Sequence, residues 1–184
     1  MKQFILLFLL CISIMPCFAQ EGQEPEFVGE VNLVIGDKIL PLDKEFIKVK
    51  TKASASMYIV GMGKVKTKLN VEGKAASTRA AQGEDFKLVV KAVDNNSDPL
   101  SIINIFQFEI GKNKRTAELS SLGTFGGHTD NKLELIEYSA KKFGESSYLI
   151  TLKEKPVGEI GIMVRNPNNK DEKNIIVALS LIQI

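Results

Sequence analysis

The chain has few of the residues on which cross-links, thiolate metal sites and most catalytic dyads depend. It contains two cysteines, one histidine and no tryptophan in 184 residues. Cys11 and Cys17 both lie in an N-terminal segment with the features of a cleaved leader. The mature protein is therefore expected to have no disulfide and no thiol nucleophile. Such a domain depends on its apolar core, and the chain is long enough to form one.

Residues 1–19 are predicted to be a signal peptide. Lys2 supplies a positive start, and an apolar run too short for a membrane span follows from Phe4 to Met15. Small residues near Ala19 predict cleavage there, which leaves residues 20–25 as an exposed N-terminal tail. Neither cysteine follows the small residues that lipidation requires. The protein is expected to be exported to the periplasm or outside the cell, and it is not expected to span a membrane.

Charge gives little indication of a partner. The formal net charge is +2, and only Arg79, Arg115 and Arg165 are arginines. Because bidentate phosphate recognition depends mainly on arginine, no nucleic-acid partner is expected. An envelope protein or a glycan fits an exported protein better. The sequence does not indicate an oligomeric state.

No catalytic constellation is evident. His128 lies in the glycine-rich stretch GTFGGHTDN, but the chain has no Gly-x-Ser-x-Gly elbow and no Gly-Lys-Ser/Thr phosphate loop. The oxygen-rich stretch Asp94–Asp98 has the spacing of a calcium loop, but Pro99 follows it and Ile105 occupies the position of the required glutamate. We predict no catalytic residue, no metal and no cofactor. A calcium site in that loop and a hydrolase activity are the alternatives.

Alternation of apolar and polar residues predicts strands almost throughout the chain after the leader. Gly36 and Asp37 separate two short alternating runs, as in a hairpin. A fifteen-residue alternating run from Phe46 to Val60 is long for one strand and is expected to bend near Ala53–Ser56. The other predicted strands are 64–71, 86–93, 100–110, 115–119, 133–138, 146–152, 159–164 and 174–184. The predicted fold class is all-β.

The unpatterned stretch Ser77–Asp85 suggests a connector between two units. We predict a small, hairpin-rich β lobe over residues 26–77 and a β-sandwich over residues 84–184. The second segment has seven candidate strands in about 100 residues, which is close to the size of an immunoglobulin-like domain. One continuous larger sandwich is the alternative.

A local likeness supports the sandwich. The stretch LITLKEKPVGEIGIMV, Leu149–Val164, resembles the corner between the fifth and sixth strands of immunoglobulin-like domains, where Gly-Glu-Tyr opens the sixth strand. Here the corner is Gly158-Glu159-Ile160, and Ile160 replaces the tyrosine. The resemblance implies a fold only and carries no activity.

The pentapeptide KVKTK occurs twice and provides the candidate binding face. Each copy places lysines at alternate positions, so three charges fall on one side of a strand. Tyr58 has the same parity as the first set, whereas Tyr138 and Tyr148, the other candidates for exposed rings, do not lie in a charged run. The predicted binding residues are Lys48, Lys50, Lys52, Tyr58, Lys64, Lys66 and Lys68.

Two pairings of this hairpin are conceivable. A pairing symmetric about Tyr58 would put lysines opposite one another, which is unfavourable. A turn at Gly61-Met62-Gly63 would instead place Tyr58 opposite Lys66 and Glu72 opposite Lys52, and the glycines favour it. Lysines on such a hairpin either protect a sheet edge from pairing with other chains or bind an anion.

The sequence thus predicts a non-catalytic exported β protein that acts as a binding or assembly module. A carbohydrate-binding or anionic-glycan-binding module is the principal alternative.

Overall fold

The computed structural model describes residues 23–46, 48–53, 65–122, 129–131, 133–165 and 178–183. They form fourteen strands and one helical turn in the described part of the chain. In chain order these are β1 Val31–Ile35, β2 Lys38–Pro41, β3 Asp43–Phe46, β4 Lys48–Ala53, β5 Val65–Glu72, β6 Lys87–Lys91, α1 Pro99–Ile102, β7 Ile103–Gln107, β8 Glu109–Ile110, β9 Lys114–Leu122, β10 Thr129–Asn131, β11 Tyr138–Phe143, β12 Ser147–Leu152, β13 Glu159–Val164 and β14 Ala178–Gln183. The all-β prediction is confirmed.

The strands form three antiparallel sheets. Sheet 1 has the order β11-β12-β6-β1-β2, and sheet 2 has the order β3-β14-β13-β7. Sheet 3 has the order β10-β9-β5-β4, with the two-residue strand β8 also paired to β9. The predicted hairpin at Gly36-Asp37 is the β1–β2 pair, in which Ile35 lies opposite Lys38.

Sheet 2 lies between the other two, as its contacts on both faces show. One face joins sheet 1 in a large apolar cluster that includes Leu33, Ile105 and Ile162. The other face contributes Phe106 and Met163 to a second cluster, shared with residues of sheet 3. All six residues of β13 are consequently buried. A strand that packs against apolar residues on both faces has no solvent-facing positions. Apolar and polar residues therefore hardly alternate in β13.

Strands from the two predicted segments are interleaved in every sheet. In sheet 1, β1 pairs with β6; in sheet 2, β3 pairs with β14; and in sheet 3, β5 pairs with β9. The strands of residues 26–77 therefore do not segregate from those of residues 84–184. Hydrogen bonds between residues so far apart in sequence leave no local signal, so composition alone suggested a boundary at the connector.

The long alternating run from Phe46 is divided between two sheets. β3 pairs with β14 in sheet 2, whereas β4 pairs with β5 in sheet 3. The chain therefore changes sheets between Phe46 and Lys48, earlier than the predicted bend. Apolar and polar residues continue to alternate across this change of sheet, because the strands on both sides of it each have one apolar face.

Two other predicted strands differ from the structure. The run from Leu100 begins with the helical turn α1, which Asp98 caps by accepting a hydrogen bond from the Leu100 N–H at 3.0 Å. Asp before Pro is a helix-start signal that the apolar residues after it concealed. In the predicted strand 133–138, the residues before Tyr138 have only the isolated bridge Leu135–Phe106. The mostly polar edge strand β11 begins at Tyr138, and its other residues were not predicted to form a strand.

Candidate functional site

The pairing of β4 with β5 places the two lysine runs side by side. Lys50 lies directly opposite Lys68, and Lys52 lies directly opposite Lys66. Lys48 lies opposite Asn70. Directly opposed positions belong to the same face of a sheet. We call this set of positions the lysine face; its members are Lys48, Lys50, Lys52, Lys66 and Lys68.

The register predicted from the glycine turn is wrong. That prediction placed Glu72 opposite Lys52, but the structure places Lys66 there. The two registers differ by an even number of residues, so both keep the apolar residues of β4 and β5 on the same face. Alternation therefore could not distinguish them. The pairing symmetric about Tyr58, which would place Lys50 opposite Lys66, is also absent: the structure has a third register, although it too places lysines opposite one another.

The position of Lys68 identifies the exposed side of sheet 3. The side chain of Lys68 is 40% exposed, whereas the next residues of opposite parity, Leu69 and Val71, are buried. Their burial confirms the predicted core parity of β5. The core beneath them includes Phe106 and Phe108, whose rings meet edge to face with centroids 5.2 Å apart.

The third strand, β9, partly compensates the lysines. Glu118 lies opposite Lys68, and the Lys68 Nζ is 3.8 Å from the Glu118 Oε2. Lys66 lies opposite Ser121, which supplies no charge. Lys114 Nζ donates to Asn70 Oδ1 at 3.1 Å. β9 thus places a carboxylate opposite one of the two β5 lysines and a hydroxyl residue opposite the other.

Several predicted residues lie outside the described part of the chain: Tyr58, Lys64 and His128. Their relation to the lysine face stays a prediction. The other two tyrosines are not exposed rings, because Tyr138 and Tyr148 are 8% and 2% exposed. Both rings belong to the apolar cluster between sheets 1 and 2, so neither presents a stacking surface to a ligand.

The tyrosine hydroxyls instead hold the loop before β7. The Tyr138 hydroxyl donates a shared bond to the carbonyl oxygens of Pro99 at 2.9 Å and Ile103 at 2.8 Å. The Tyr148 hydroxyl donates to the carbonyl oxygen of Ser97. Burial, with a smaller effect of the Asp98 charge, raises the pKa of Tyr138 to about 12. Burial likewise raises the pKa of Tyr148.

The oxygens of the Asp94–Asp98 stretch have partners within the protein. Asp94 accepts from the Asn96 N–H at 2.8 Å, which is an Asx turn, and Asp98 caps α1. The Asn96 side-chain oxygen accepts from Lys142 Nζ at 3.3 Å. These bonds are those expected of a polar turn between strands. In the described residues, no three His, Cys, Asp or Glu side chains are grouped as metal ligands.

A buried ion pair between sheets 2 and 3 was missed by the sequence analysis. Arg115 Nη1 donates to Glu159 Oε2 at 2.9 Å, and the two side chains are only 3% and 0% exposed. The same oxygen accepts from the Ala76 N–H at 2.7 Å. Arg115 Nη2 donates to the Glu72 carbonyl oxygen at 3.2 Å. Arg115 lies two residues before the buried Ala117 and therefore on the same face of β9. This spacing was the one feature of the sequence that indicated the burial of Arg115.

This network holds the segment that follows β5. Beside the ion pair, Asp43 accepts hydrogen bonds from the Ser77 hydroxyl and from the Ser77 N–H, the latter at 2.7 Å. These bonds, with a smaller effect of the Arg115 charge, lower the pKa of Asp43. Arg115 Nε and Glu159 Oε1 are buried without a partner. The arrangement is structural, since the charged groups are enclosed.

A second carboxylate site holds the N-terminal segment against sheet 1. Glu24 is 3.1 Å from Lys91 Nζ and accepts from the Ser146 N–H at 3.0 Å. Pro25, the next residue, is buried. Residues 20–25 were predicted to be an exposed tail, but the described part of that segment is fixed by these contacts. Its polar composition did not reveal them, because the partners come from β6 and from the turn before β12.

The pKa of Glu24 reflects these contacts. Burial alone would raise it, but the hydrogen bond from the Ser146 N–H and the Lys91 ammonium lower it to about 2. The Ser147 hydroxyl is buried without a hydrogen-bond partner among the described residues. Gly144 closes the site: with φ +56, a Cβ there would lie 2.4 Å from the Glu24 Cδ.

A shallow apolar groove is lined by residues of β7 and of the segment before β11. Its volume is about 330 Å³, and Leu100 and Leu135, which are 65% and 51% exposed, lie at its rim. At one side Lys153 Nζ is 2.8 Å from the Glu137 Oε2, and this contact lowers the pKa of Glu137. The groove is near the lower limit of ligand-pocket volumes and has few polar groups to orient a ligand.

No protein-family model, curated protein or solved structure matches the chain. No helix in the described part of the chain is long and apolar enough to cross a membrane.

Proposed function

We propose that the chain is a non-catalytic exported module that binds an anionic ligand through the lysine face. Export rests on the leader at residues 1–19, and the binding class rests on sheet 3. The ligand class favoured here is an anionic glycan, because an exported protein meets such polymers and because none of the three arginines belongs to this face.

The opposed lysines of β4 and β5 support this proposal most directly. Lys50 faces Lys68 and Lys52 faces Lys66, although like charges at opposed positions destabilise a sheet. Each such pair is expected to cost from a few tenths of a kcal/mol to about 1 kcal/mol. An anion bound between the rows removes that repulsion, so the arrangement is unfavourable for folding alone and favourable for binding.

Edge protection explains only the three β4 lysines of the lysine face. Among the described residues, β4 is paired on one side only, so its lysines are placed where they discourage pairing with another chain. β5 is interior, with β4 on one side and β9 on the other. Lysines in β5 therefore protect no edge, and their position needs a second reason. Binding of an anion supplies one.

An immunoglobulin-like architecture for sheets 1 and 2 is also part of the proposal. In its favour, two antiparallel sheets share one apolar cluster. Glu159 begins β13 directly after Gly158, at the corner that resembles the start of the sixth strand. This likeness bears on the fold and adds nothing to the ligand assignment.

Heparin affinity chromatography of the mature protein tests the function. We expect retention at low salt, and we expect Lys50→Gln/Lys66→Gln to elute at a clearly lower salt concentration. The matched control is Lys38→Gln/Lys141→Gln, which removes two exposed lysines from the edge strands of sheet 1 and leaves net charge equal. It should elute close to the unmodified protein.

Thermal melts of the same variants complete the test. Because repulsion is relieved, Lys50→Gln/Lys66→Gln should be as stable as the unmodified protein or more stable, while it binds more weakly. Equal elution shifts for the two double variants would mean that only overall charge matters. Unchanged elution together with new aggregation of the lysine-face variant would leave edge protection as its sole role. Either result would overturn the proposed function.

A further inference from the structure

We infer that the ligand of the lysine face is a linear anionic glycan that lies along β4 and β5, with several of its charged groups bound at once. This inference rests on the proposed function and adds the form and the direction of the ligand. A single small anion and a polymer that crosses the strands are the arrangements it excludes.

The spacing of the positions favours an extended ligand. Alternate residues of a strand are about 7 Å apart, and neighbouring strands are about 4.8 Å apart. Lys48, Lys50 and Lys52 therefore form a row about 13 Å long, with Lys66 and Lys68 in a second row beside it. A single sulfate or carboxylate can approach only the lysines nearest to it. A chain with recurring anionic groups can approach all five.

Acidic residues of β9 and β8, beside the lysine face, favour a ligand that runs along β4 and β5 over one that crosses the strands. Glu118 lies opposite Lys68, on the side away from β4. Farther out, Glu109 of β8 lies opposite Thr116, which in turn lies opposite Asn70 of β5. A polyanion crossing from β4 towards β8 would meet these carboxylates. A polyanion following β4 and β5 meets lysine positions throughout the row.

The length dependence of binding tests the form of the ligand in the unmodified mature protein. We expect a heparin octasaccharide to bind at least about tenfold more tightly than a heparin disaccharide in titration calorimetry, since linked groups bind with a high effective concentration. The dependence of affinity on salt should also be steeper for the octasaccharide. Equal affinities would overturn the inference and leave anion binding intact. Failure of both to bind would instead refute the proposed function.

Two single variants test the direction. Lys48→Gln, at one end of the row, should weaken octasaccharide binding several-fold and leave disaccharide binding nearly unchanged. Glu109→Gln, the matched change on the far side of the face, should alter neither. A gain in octasaccharide affinity from Glu109→Gln, without a loss from Lys48→Gln, would show that the ligand crosses the sheet. A single-stranded DNA octamer that bound as tightly as the octasaccharide would overturn the glycan assignment.

Discussion

Neutralising Glu24 should remove a pH-dependent part of the stability of this protein. Its carboxylate is bound by the Ser146 N–H and Lys91 Nζ, and its pKa is lowered from 4.5 to about 2. A carboxylate whose pKa is lower in the folded than in the unfolded state stabilises the fold above the unfolded pKa. That stabilisation should be lost as the pH falls from about 4.5 to about 2.

The size of the effect follows from the pKa difference. Each pKa unit corresponds to about 1.4 kcal/mol, so a shift from 4.5 to about 2 gives an upper limit of about 3 kcal/mol. The Glu24 side chain is 23% exposed, and solvent screening reduces the expected contribution to about 1–2 kcal/mol. Glu24→Gln should lower the free energy of unfolding by this amount at pH 7 and by much less at pH 2.

Urea denaturation of the protein without residues 1–19, between pH 2 and pH 7, measures this difference. The matched control is Glu26→Gln, which changes an exposed residue of the same segment and should leave the pH profile unchanged. The Glu24→Gln profile should be flatter than that of the unmodified protein below pH 5. If the stability of Glu24→Gln and that of the unmodified protein changed with pH in parallel, the contacts of Glu24 would not account for its lowered pKa. The conclusion that these contacts hold the segment against sheet 1 would then be wrong.

Gly144→Ala provides a second perturbation of the same site. The added Cβ would lie 2.4 Å from the Glu24 Cδ, in a backbone conformation with φ +56 that favours glycine. Part of the stability lost through Gly144→Ala is therefore backbone strain, which does not depend on Glu24. The other part comes from displacement of the Glu24 carboxylate. In a double-mutant cycle, Gly144→Ala should cost less in the Glu24→Ala background. Strict additivity would contradict the contact.

Two further predictions concern buried polar groups. Arg115→Met should lower the free energy of unfolding by about 3–5 kcal/mol, because it leaves Glu159 buried and unpaired. Arg115→Met/Glu159→Gln should recover part of this loss in urea denaturation, and a double variant no more stable than the single one would refute the ion pair. Tyr138→Phe should cost about 1–1.5 kcal/mol in the same assay, because the hydroxyl bonds to the carbonyl oxygens of Pro99 and Ile103 are lost. An unchanged unfolding midpoint would contradict those bonds.

The lysine face shows how far sequence reasoning reached. Alternation identified the strands, placed Leu69 and Val71 in the core and put the lysines on the other face. It could not choose the register, because an even shift keeps every residue on its own face. The preference for Glu72 opposite Lys52 came from local turn chemistry. The register in the structure pairs Lys52 with Lys66, and on its other side β5 pairs with a distant strand, β9.

The sequence by itself determined the fold class and the core parity of the strands, because both follow from a period of two along the chain. Only the tertiary structure decided which strands share a sheet, since β1, β3 and β5 each pair with a strand from residues 84–184. It likewise brought Arg115 to Glu159 and Glu24 to Lys91. These contacts join residues 44 and 67 positions apart, and no local pattern encodes such a distance.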